Sequence, residues 1–317
     1  METSLCPITG SSDSTPLLSV PDRFHPEKGC SWSIARMNPS GLIMLNPRPS
    51  HAELECHYPH SGYSPHLQSA HSLAERLQQA AHRLLLSRRA AVVLKGLPKE
   101  MSETRVLEVG CATGTLLAQL HRKNGLKREN LIGIEPDMDA AAFAREHYGL
   151  KVLERLEVLD RAEGLQMNEN GFDRIILWHT LEHIHRLDDT LRVMNRHLAP
   201  DGKIILALPN PLSYDALHYG AYWVAWDAPR HLWHFTLGTL SALLEPHGLT
   251  ISNTSQWIPD TLYNTLHSEQ LRSISNGKPH GARNIPAALV HSGRFMLRSL
   301  LNPTGSSTVI YTVQNTR

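Results

Sequence analysis

A buried strand that runs directly into a glycine turn and a helix constrains this chain more than any other feature. The segment Val106–Leu117 reads VLEVGCATGTLL, in which Gly110 and Gly114 frame a tight turn between the strand and the helix. Glycine lets a ligand approach the backbone where a Cβ would clash, and a helix N-terminus offers free N–H groups to that ligand. The segment therefore predicts a ligand site at the end of a buried strand.

Strands and helices alternate along most of the chain. Apolar runs predict strands at 106–109, 131–134, 151–153, 172–178, 203–208, 249–252 and 307–313. Helical spacing predicts helices at 67–94, 115–121, 138–147, 187–198 and 237–244. This alternation predicts a mostly parallel, doubly wound α/β sheet.

Two parts of the chain lack the alternation. Residues 1–60, rich in Pro, Ser, Gly and His, predict a small loop-rich appendage, which leaves 61–317 as the main domain. The stretch 264–305 is poorly periodic and predicts an irregular insertion before the last strand. For the helix at 67–94, the predicted buried face consists of Leu73, Leu77, Ala80, Leu84 and Leu85.

Composition and charge argue against several classes of protein. A formal net charge of +1 gives no strong field toward nucleic acid or membrane. Four scattered cysteines are too few for a disulfide framework and suit a reducing compartment. No apolar run reaches the roughly 18 residues of a membrane span, and the first residues do not read as a signal peptide. We therefore expect a cytoplasmic protein without a membrane span, and its oligomeric state stays open.

Two acidic residues accompany the glycine turn. Glu135 follows the strand 131–134 and lies about 25 residues after Gly110, where a doubly wound site places a carboxylate for ribose hydroxyls. This spacing favours ribose binding over the role of a helix N-terminal charge. Glu108 lies two residues before Gly110 and can either fix the turn through backbone N–H groups or contact the ligand.

A polar segment, His179–Ile184, follows the strand 172–178. Because the carboxyl ends of parallel strands border the ligand crevice, this segment is a candidate for the site. His183 within it is either a helix-start residue bonded to backbone or an active-site group, and the sequence leaves both open.

The segment Tyr222–Thr236 (YWVAWDAPRHLWHFT) holds three tryptophans, two histidines, one aspartate and one arginine in fifteen positions. It follows the predicted fifth strand, so it should lie at the carboxyl edge of the sheet. Aromatic residues with a few convergent polar groups are typical of an organic-substrate pocket. A structural plug is the alternative, because aromatic residues usually lie in the core, and an Asp227–Arg230 pair could serve only to anchor the segment.

These motifs together resemble a known enzyme family. The acidic-x-Gly-x-x-x-Gly pattern at 108–114 resembles motif I of class I S-adenosylmethionine (SAM) dependent methyltransferases, with Ala112 where a middle glycine is usual. The LEH-I segment resembles methyltransferases related to the ubiquinone-biosynthesis enzymes, and D-x-PRHL-x-HFT resembles a bacterial small-molecule group. The resemblance implies a Rossmann-like seven-stranded sheet with an antiparallel last strand, SAM as cofactor, and Glu108 near its methionyl end.

The resemblance extends to the N-terminal appendage. Many relatives carry two C-x-x-C-G knuckles and then NPRP, and here Cys6–Gly10, Met37–Gly41 and Asn46–Pro49 stand in those places. Three of the four cysteines are replaced, by Thr9, Met37 and Ser40. Since one thiolate cannot make a four-coordinate zinc site, the resemblance implies a metal-free relic of a zinc ribbon.

We therefore expect a methyltransferase that acts on a small-molecule acceptor, with O-, N- or C-methylation left open. In this interpretation His231 or His234 removes the acceptor's proton, His183 is a further catalytic candidate, and no metal ligand is predicted. Predicted cofactor-binding residues are Glu108, Gly110, Cys111, Ala112, Gly114, Glu135, Pro136 and His179. Predicted substrate-binding residues are Tyr222, Trp223, Trp226, Asp227 and Arg230.

Three other functions are weighed against this one. Nucleobase methyltransferases carry an Asn- or Asp-Pro-Pro-aromatic motif after the fourth strand, where this chain has Trp178–Leu181. The glycine spacing disfavours a nicotinamide dehydrogenase. A SAM-binding scaffold without activity is the alternative from another class, and SAM binding without turnover over a broad acceptor panel would favour it.

Overall fold

The computed structural model describes residues 1–26, 29–58, 73–97, 101–160, 171–278 and 284–316. The strands in these ranges are β1 (Ser14–Pro21), β2 (Ser31–Met37), β3 (Ile43–Leu45), β4 (Val106–Val109), β5 (Leu131–Ile134), β6 (Lys151–Leu153), β7 (Phe172–Trp178), β8 (Leu198–Pro209), β9 (Trp233–His234), β10 (Leu249–Trp257) and β11 (Thr308–Asn315). The α-helices are α1 (His51–Leu54), α2 (Leu73–Leu94), α3 (Thr115–Asn124), α4 (Met138–Tyr148), α5 (Leu187–His197), α6 (Tyr214–Tyr219), α7 (Leu237–Leu244), α8 (Pro259–Ser275) and α9 (Ile285–Leu301).

A seven-stranded sheet has the order β10-β11-β8-β7-β4-β5-β6. β4 pairs in parallel with β5 and with β7, and β5 pairs in parallel with β6. The last strand, β11, is antiparallel and lies between β10 and β8. This arrangement confirms the predicted fold class.

Local sequence explains why the predicted elements form. All four residues of β4 and all four of β5 are buried, as continuous apolar runs in a parallel sheet should be. Asp137 caps α4 by accepting a hydrogen bond from the Ala140 N–H at 2.9 Å. Thr236 caps α7 in a capping box with Thr239. Predicted and observed bounds differ mainly at element ends, where fraying makes sequence patterns weakest.

The chain divides into two compact units, which we describe separately. The N-terminal-sheet unit comprises Met1–His60, His179–Asp189 and Leu206–Thr312, and the glycine-turn unit comprises Ser61–Trp178, Thr190–Ile205 and Val313–Arg317. One boundary between the units falls at residue 60, but residues 1–60 share their unit with two later segments, and β3 pairs with β9 from one of them. The division into 1–60 and 61–317 therefore stays a prediction about domains, not a description of the packing.

The N-terminal segment forms a sheet of its own rather than loops. Its order is β1-β2-β3-β9, and the three pairings are antiparallel. All three residues of β3 are buried. The prediction of a loop-rich appendage was wrong here because prolines and serines interrupt the alternation that identifies strands from sequence.

Two predictions need correction. On the predicted buried face of α2, Ala80 and Leu84 are exposed, while the predicted start of this helix, at 67–72, lies outside the described residues. Burial occurs instead near the end of α2, at Ala90 and Val93, where the Val93 carbonyl accepts a hydrogen bond from Arg174 Nε at 3.0 Å. The predicted irregular insertion contains two 17-residue helices, α8 and α9. None of the helices described combines the length and apolar character that a membrane span requires.

The two segments predicted to be degenerate knuckles, Cys6–Gly10 and Met37–Gly41, have the same backbone turn. The Gly10 N–H donates to the Cys6 carbonyl at 2.8 Å, and the Gly41 N–H donates to the Met37 carbonyl at 2.8 Å. The turns place Cys6 Sγ 3.2 Å from Ser40 Oγ. The position that the zinc-ribbon resemblance would give to two metal ligands thus holds a thiol–hydroxyl contact, and the resemblance itself stays a prediction.

We expect the region 1–50 to hold no zinc, because Cys6 is its one thiolate at the four knuckle positions. Elemental analysis of purified protein should give the same zinc content for the wild type and for Cys6→Ser. A stoichiometric zinc that is lost in Cys6→Ser would contradict this expectation. Cys56→Ser, at an exposed cysteine outside the knuckles, is the matched control.

Candidate active site

The glycine turn of the glycine-turn unit requires left-handed backbone at three positions. Gly110, Ala112 and Gly114 have φ values of 76°, 49° and 71°. A Cβ at Gly114 would lie 2.6 Å from Leu150 Cδ1 and 3.0 Å from Ala144 Cβ, so only glycine fits between the turn and α4. Ala112 adopts the left-handed conformation at a cost of about 1 kcal/mol, and the turn forms without the middle glycine.

Glu135 holds this turn through its carboxylate. Oε2 accepts a hydrogen bond from the Ala112 N–H at 2.8 Å, and Oε1 accepts one from the Asp137 N–H at 3.0 Å. Burial raises the pKa of Glu135, and the two backbone hydrogen bonds act against that rise. Each carboxylate oxygen has a second lone pair, so the group retains the capacity to accept hydrogen bonds from a ribose diol.

Glu108 is a buried carboxyl with an unused acceptor. Its Oε2 has no hydrogen-bond partner among the described residues. Burial raises the pKa of Glu108 to about 8, although the Arg89 guanidinium lowers it and Glu135 adds to the rise. A buried acceptor without a partner costs free energy, and a cationic ligand group would satisfy it. The amino and sulfonium groups of SAM are such cations, so the residues present fit this cofactor.

Two other predicted cofactor residues have different surroundings. The Cys111 N–H donates to the Ile134 carbonyl at 3.0 Å, and the Cys111 side chain is buried. Its Sγ lies 2.4 Å from where a Cβ on Gly133 would be, and burial raises the pKa of the thiol, so Cys111 packs inside the turn as a neutral group. Pro136 is exposed beside Glu135.

His179 begins a polar cluster that lies within the N-terminal-sheet unit. It has a left-handed φ of 53°, its Nε2 donates to Asp260 Oδ2 at 2.8 Å, and its Nδ1 lies 3.4 Å from Glu182 Oε1. Burial lowers the pKa of His179, but the two carboxylates outweigh burial and raise it to about 9. At neutral pH His179 is therefore an imidazolium ion between two carboxylates, and its predicted contact with the cofactor stays a prediction.

The sequence analysis missed Asp260, which orients His179. Trp257 Nε1 donates to Asp260 Oδ1 at 3.0 Å, and Thr308 Oγ1 donates to Oδ2 at 2.8 Å. Asp260 lies in the first turn of α8, between the predicted strand 249–252 and the predicted insertion 264–305, and is 81 residues from His179. No signal in the sequence connects the two residues.

Glu182 is the buried carboxylate at the centre of this cluster. Burial raises the pKa of Glu182, but His179 and the neighbouring His231 outweigh it and lower the pKa to about 2. Neither carboxylate oxygen has a hydrogen-bond partner of good geometry among the residues described. An ionised, buried carboxylate whose oxygens accept no hydrogen bond of good geometry is suited to accept hydrogen bonds from a ligand.

His231 and His234, the two histidines predicted to remove the acceptor's proton, are buried and neutral. His231 Nδ1–H donates to the Ala225 carbonyl at 2.8 Å, which leaves Nε2 as the basic nitrogen, 4.0 Å from Glu182 Oε1. Burial and His183 lower the pKa of His231 to about 4. Burial lowers the pKa of His234 to about 3, and neither of its ring nitrogens has a hydrogen-bond partner in the described structure.

His183 joins the cluster through its ring. Its Nδ1 donates to the Arg230 carbonyl at 3.0 Å and lies 3.2 Å from the Tyr58 hydroxyl. The ring meets the His231 ring edge-on, with centroids 4.6 Å apart. Ligand atoms of Glu182, His183 and His231 lie within 4.8 Å of one another, so these three could hold a divalent cation. The absence of a metal from this protein stays a prediction.

Asp227 and Arg230 anchor the segment Tyr222–Thr236. Arg230 is buried, and its guanidinium contacts Asp227 at 2.8 Å, Asp22 at 2.9 Å and the His57 carbonyl at 3.0 Å. Burial raises the pKa of Asp227, but nearby Arg23 and Arg230 outweigh it and lower the pKa to about 2. This is the anchoring role that the sequence left open as the alternative to substrate contact.

The tryptophans of this segment also have internal partners. Trp223 Nε1 donates to Asp215 Oδ2 at 2.7 Å, and Trp226 Nε1 donates to the Gly220 carbonyl at 2.8 Å. Both indoles are buried. Tyr222 is half-buried. Substrate contact by any of the five predicted residues stays a prediction. Within Tyr222–Thr236, the buried side-chain nitrogens that lack a hydrogen-bond partner are the two ring nitrogens of His234.

A second group of ligand-type side chains lies on α6, α8 and α9. Ligand atoms of His218, Glu269 and His291 lie within 4.8 Å of one another. Glu269 is already paired with Arg272, whose guanidinium donates to its two oxygens at 2.7 and 2.9 Å. Since the carboxylate is neutralised by this cation, the group reads as a structural ion pair between helices.

Comparison with known proteins identifies a matching family model and two curated relatives. A family model described as a methyltransferase domain matches residues 69–254. The chain is 25% identical over 195 residues to the mitochondrial ubiquinone biosynthesis O-methyltransferase of Rattus norvegicus, covering 58% of this chain and 55% of that protein. The Mus musculus counterpart is 24% identical over 196 residues, covering 59% and 52%. The chain thus spans about half the length of the curated relatives it matches.

Solved structures show fold similarity alone. The cyclopropane synthase MmaA2 from Mycobacterium tuberculosis gives a TM-score of 0.45 at 14% identity, covering 72% of this chain and 83% of that one. A SAM-dependent methyltransferase from Mesorhizobium loti gives 0.45 at 15% identity, covering 73% and 100%. The family model, which covers more than half of the sequence, carries the assignment: this chain belongs to the methyltransferase domain family, and its cofactor is SAM.

Proposed function

We propose that this protein transfers the methyl group of SAM to a small organic acceptor. The proposal rests on one observation: the left-handed glycine turn follows directly after Glu108, a buried carboxyl whose Oε2 has no hydrogen-bond partner among the described residues. Glu108 would bind the cationic end of the cofactor, and Glu135 would bind the ribose while it continues to hold the turn. The two curated relatives are named as O-methyltransferases, which favours a hydroxyl acceptor, with nitrogen and carbon acceptors still open.

SAM supplies an activated sulfonium methyl, so the protein's task is to align the acceptor for in-line transfer. Methyl transfer would convert SAM to S-adenosylhomocysteine, so residues of this chain would have to hold the acceptor in line and take up the proton that it loses. His231 and His234 are neutral at physiological pH and can take that proton.

Glu182 would orient the acceptor in this proposal. Its two oxygens lack hydrogen-bond partners among described residues, and it is held ionised by the imidazolium of His179. A hydroxyl or amine of the acceptor would satisfy it. Asp260, which fixes His179, would then act as a positioning residue.

Several finer predictions belong with this proposal. A cytoplasmic location rests on the four scattered cysteines, which form no disulfide among the residues that the structure describes. The absence of a nucleic-acid substrate rests on the near-neutral charge. The alternative is a SAM-binding scaffold without catalysis. It gains support because the indole N–H groups of Trp223 and Trp226 already donate to groups of the protein and are not left for a substrate.

The first test concerns Glu108 and the cofactor. We expect SAM affinity to rise with pH, by up to about tenfold per unit, and to level off above the Glu108 pKa of about 8. The sign follows because the ionised carboxylate pairs with the cation, so binding at lower pH must release the Glu108 proton. Calorimetry in two buffers of different ionisation enthalpy measures that proton directly.

Glu108→Gln should abolish both the proton release and the pH dependence, while Glu129→Gln, at an exposed acid of the same unit, should change neither. Unaltered affinity and proton release in Glu108→Gln would place the cofactor elsewhere.

The second test compares the two neutral histidines. His231→Asn, which keeps a donor for the Ala225 carbonyl, and His234→Ala should slow single-turnover methyl transfer by roughly 100- to 10,000-fold. SAM affinity should stay nearly unchanged. His247→Asn, at a surface histidine paired with Asp188, is the matched control for rate and melting temperature.

Early melting with loss of SAM affinity in both variants would mean that the segment is a structural plug. Wild-type rates in both would exclude either histidine as the base. Tight SAM binding by the wild type without turnover over a broad acceptor panel would favour the scaffold.

A further inference from the structure

Helix α9 carries its large apolar side chains on the outside. Its buried residues are small or polar with one exception: Ala288, Ser292, Phe295 and Ser299. The exposed fractions of its large aliphatic residues are 50% for Ile285, 55% for Leu289, 69% for Val290, 65% for Leu297, 58% for Leu300 and 89% for Leu301. This is the reverse of the pattern of a surface helix, whose apolar stripe normally faces the core.

The exposed residues form one continuous face. At about 100° per residue, the six aliphatic residues fall within an arc of about 160° around the helix axis. The other positions in this arc are Pro286, Gly293 and Met296, so no polar side chain interrupts it. A contiguous apolar face of this kind marks an interaction surface.

The charged side chains of α9 itself are all positive. Arg294 and Arg298 follow the apolar arc on one side of the helix, and the segment Ile285–Leu301 contains no aspartate or glutamate. Both arginines are exposed, and Arg298 also lies over the Tyr214 ring, with Cζ 5.6 Å from its centroid. A second copy of α9 would bring the same cations and no compensating acid, so self-pairing lacks charge complementarity.

We propose that α9 docks on an anionic phospholipid surface. The helix would lie in the plane of the interface, with the leucines among the upper acyl chains and the arginines among the phosphates. An apolar face with basic residues beside it is the combination that binds such surfaces, because both burial and electrostatic attraction contribute. The proposal needs no membrane span and does not depend on which acceptor is methylated.

Vesicle co-sedimentation of the full chain tests the proposal. The protein should bind vesicles of phosphatidylcholine mixed with phosphatidylglycerol, bind pure phosphatidylcholine less, and release as salt is raised. The double variant Leu289→Gln/Leu297→Gln should lower the partition coefficient more than tenfold. Arg294→Gln should lower it about fivefold on the anionic vesicles alone.

The matched control is Leu5→Gln/Leu84→Gln, which removes two leucines of similar exposure outside α9 and should bind as the wild type does. Melting temperature and SAM affinity, measured on each variant, show that the fold is kept, and a failed methyl-transfer assay would not affect the result. Vesicle binding that is absent in the wild type, or unchanged in the α9 variant, would overturn the proposal. A dimer in light scattering that Leu289→Gln/Leu297→Gln dissociates, without vesicle binding, would assign the face to a second copy instead.

Discussion

The cluster of Glu182, His183 and His231 depends on the ion pairs of the buried Arg230 guanidinium. Arg230 pairs with Asp227 in its own segment and with Asp22, which directly follows β1, and leaving a buried charge unpaired typically costs about 3–5 kcal/mol. The pair fixes the turn that leads into β9, and β9 in turn pairs with β3. Rigid backbone on both sides of His231 holds its imidazole at a defined distance from Glu182.

The charges around Glu182 give nearby histidines very different pKa values. His179 lies beside two carboxylates within 3.4 Å and stays charged, with a pKa of about 9. His231 lies about 4 Å from the same Glu182, and burial prevails, so its pKa falls to about 4. One imidazolium thus keeps the central carboxylate ionised, while neutral imidazoles remain to accept a proton. Groups whose environments drive their pKa values apart are typical of acid–base sites.

Features that depend on neighbours in sequence were predictable, and features that depend on distant partners were not. The glycine turn, β4, β5 and the Asp137 cap each lie within a few residues, so local pattern identified them. Asp260 and Asp22 reach His179 and Arg230 across 81 and 208 residues, and no spacing rule connects them. α9 was missed for another reason: residues 264–305 were judged as one stretch, although it contains most of α8 as well as α9, so the apolar spacing of α9 was not tested by itself.

If the N-terminal sheet holds no metal, contacts with distant parts of the chain have to stabilise it. Structural zinc contributes on the order of 10 kcal/mol to the folding of small ribbons, and the knuckle positions here offer a single thiolate. Under the relic interpretation, that stabilisation has to come from protein contacts. Two of them are visible: the wholly buried β3 paired with β9, and Asp22 paired with Arg230. Both partners come from the segment that carries His231 and His234, so in this chain the anchoring of the appendage and the placement of the histidines are one structural requirement.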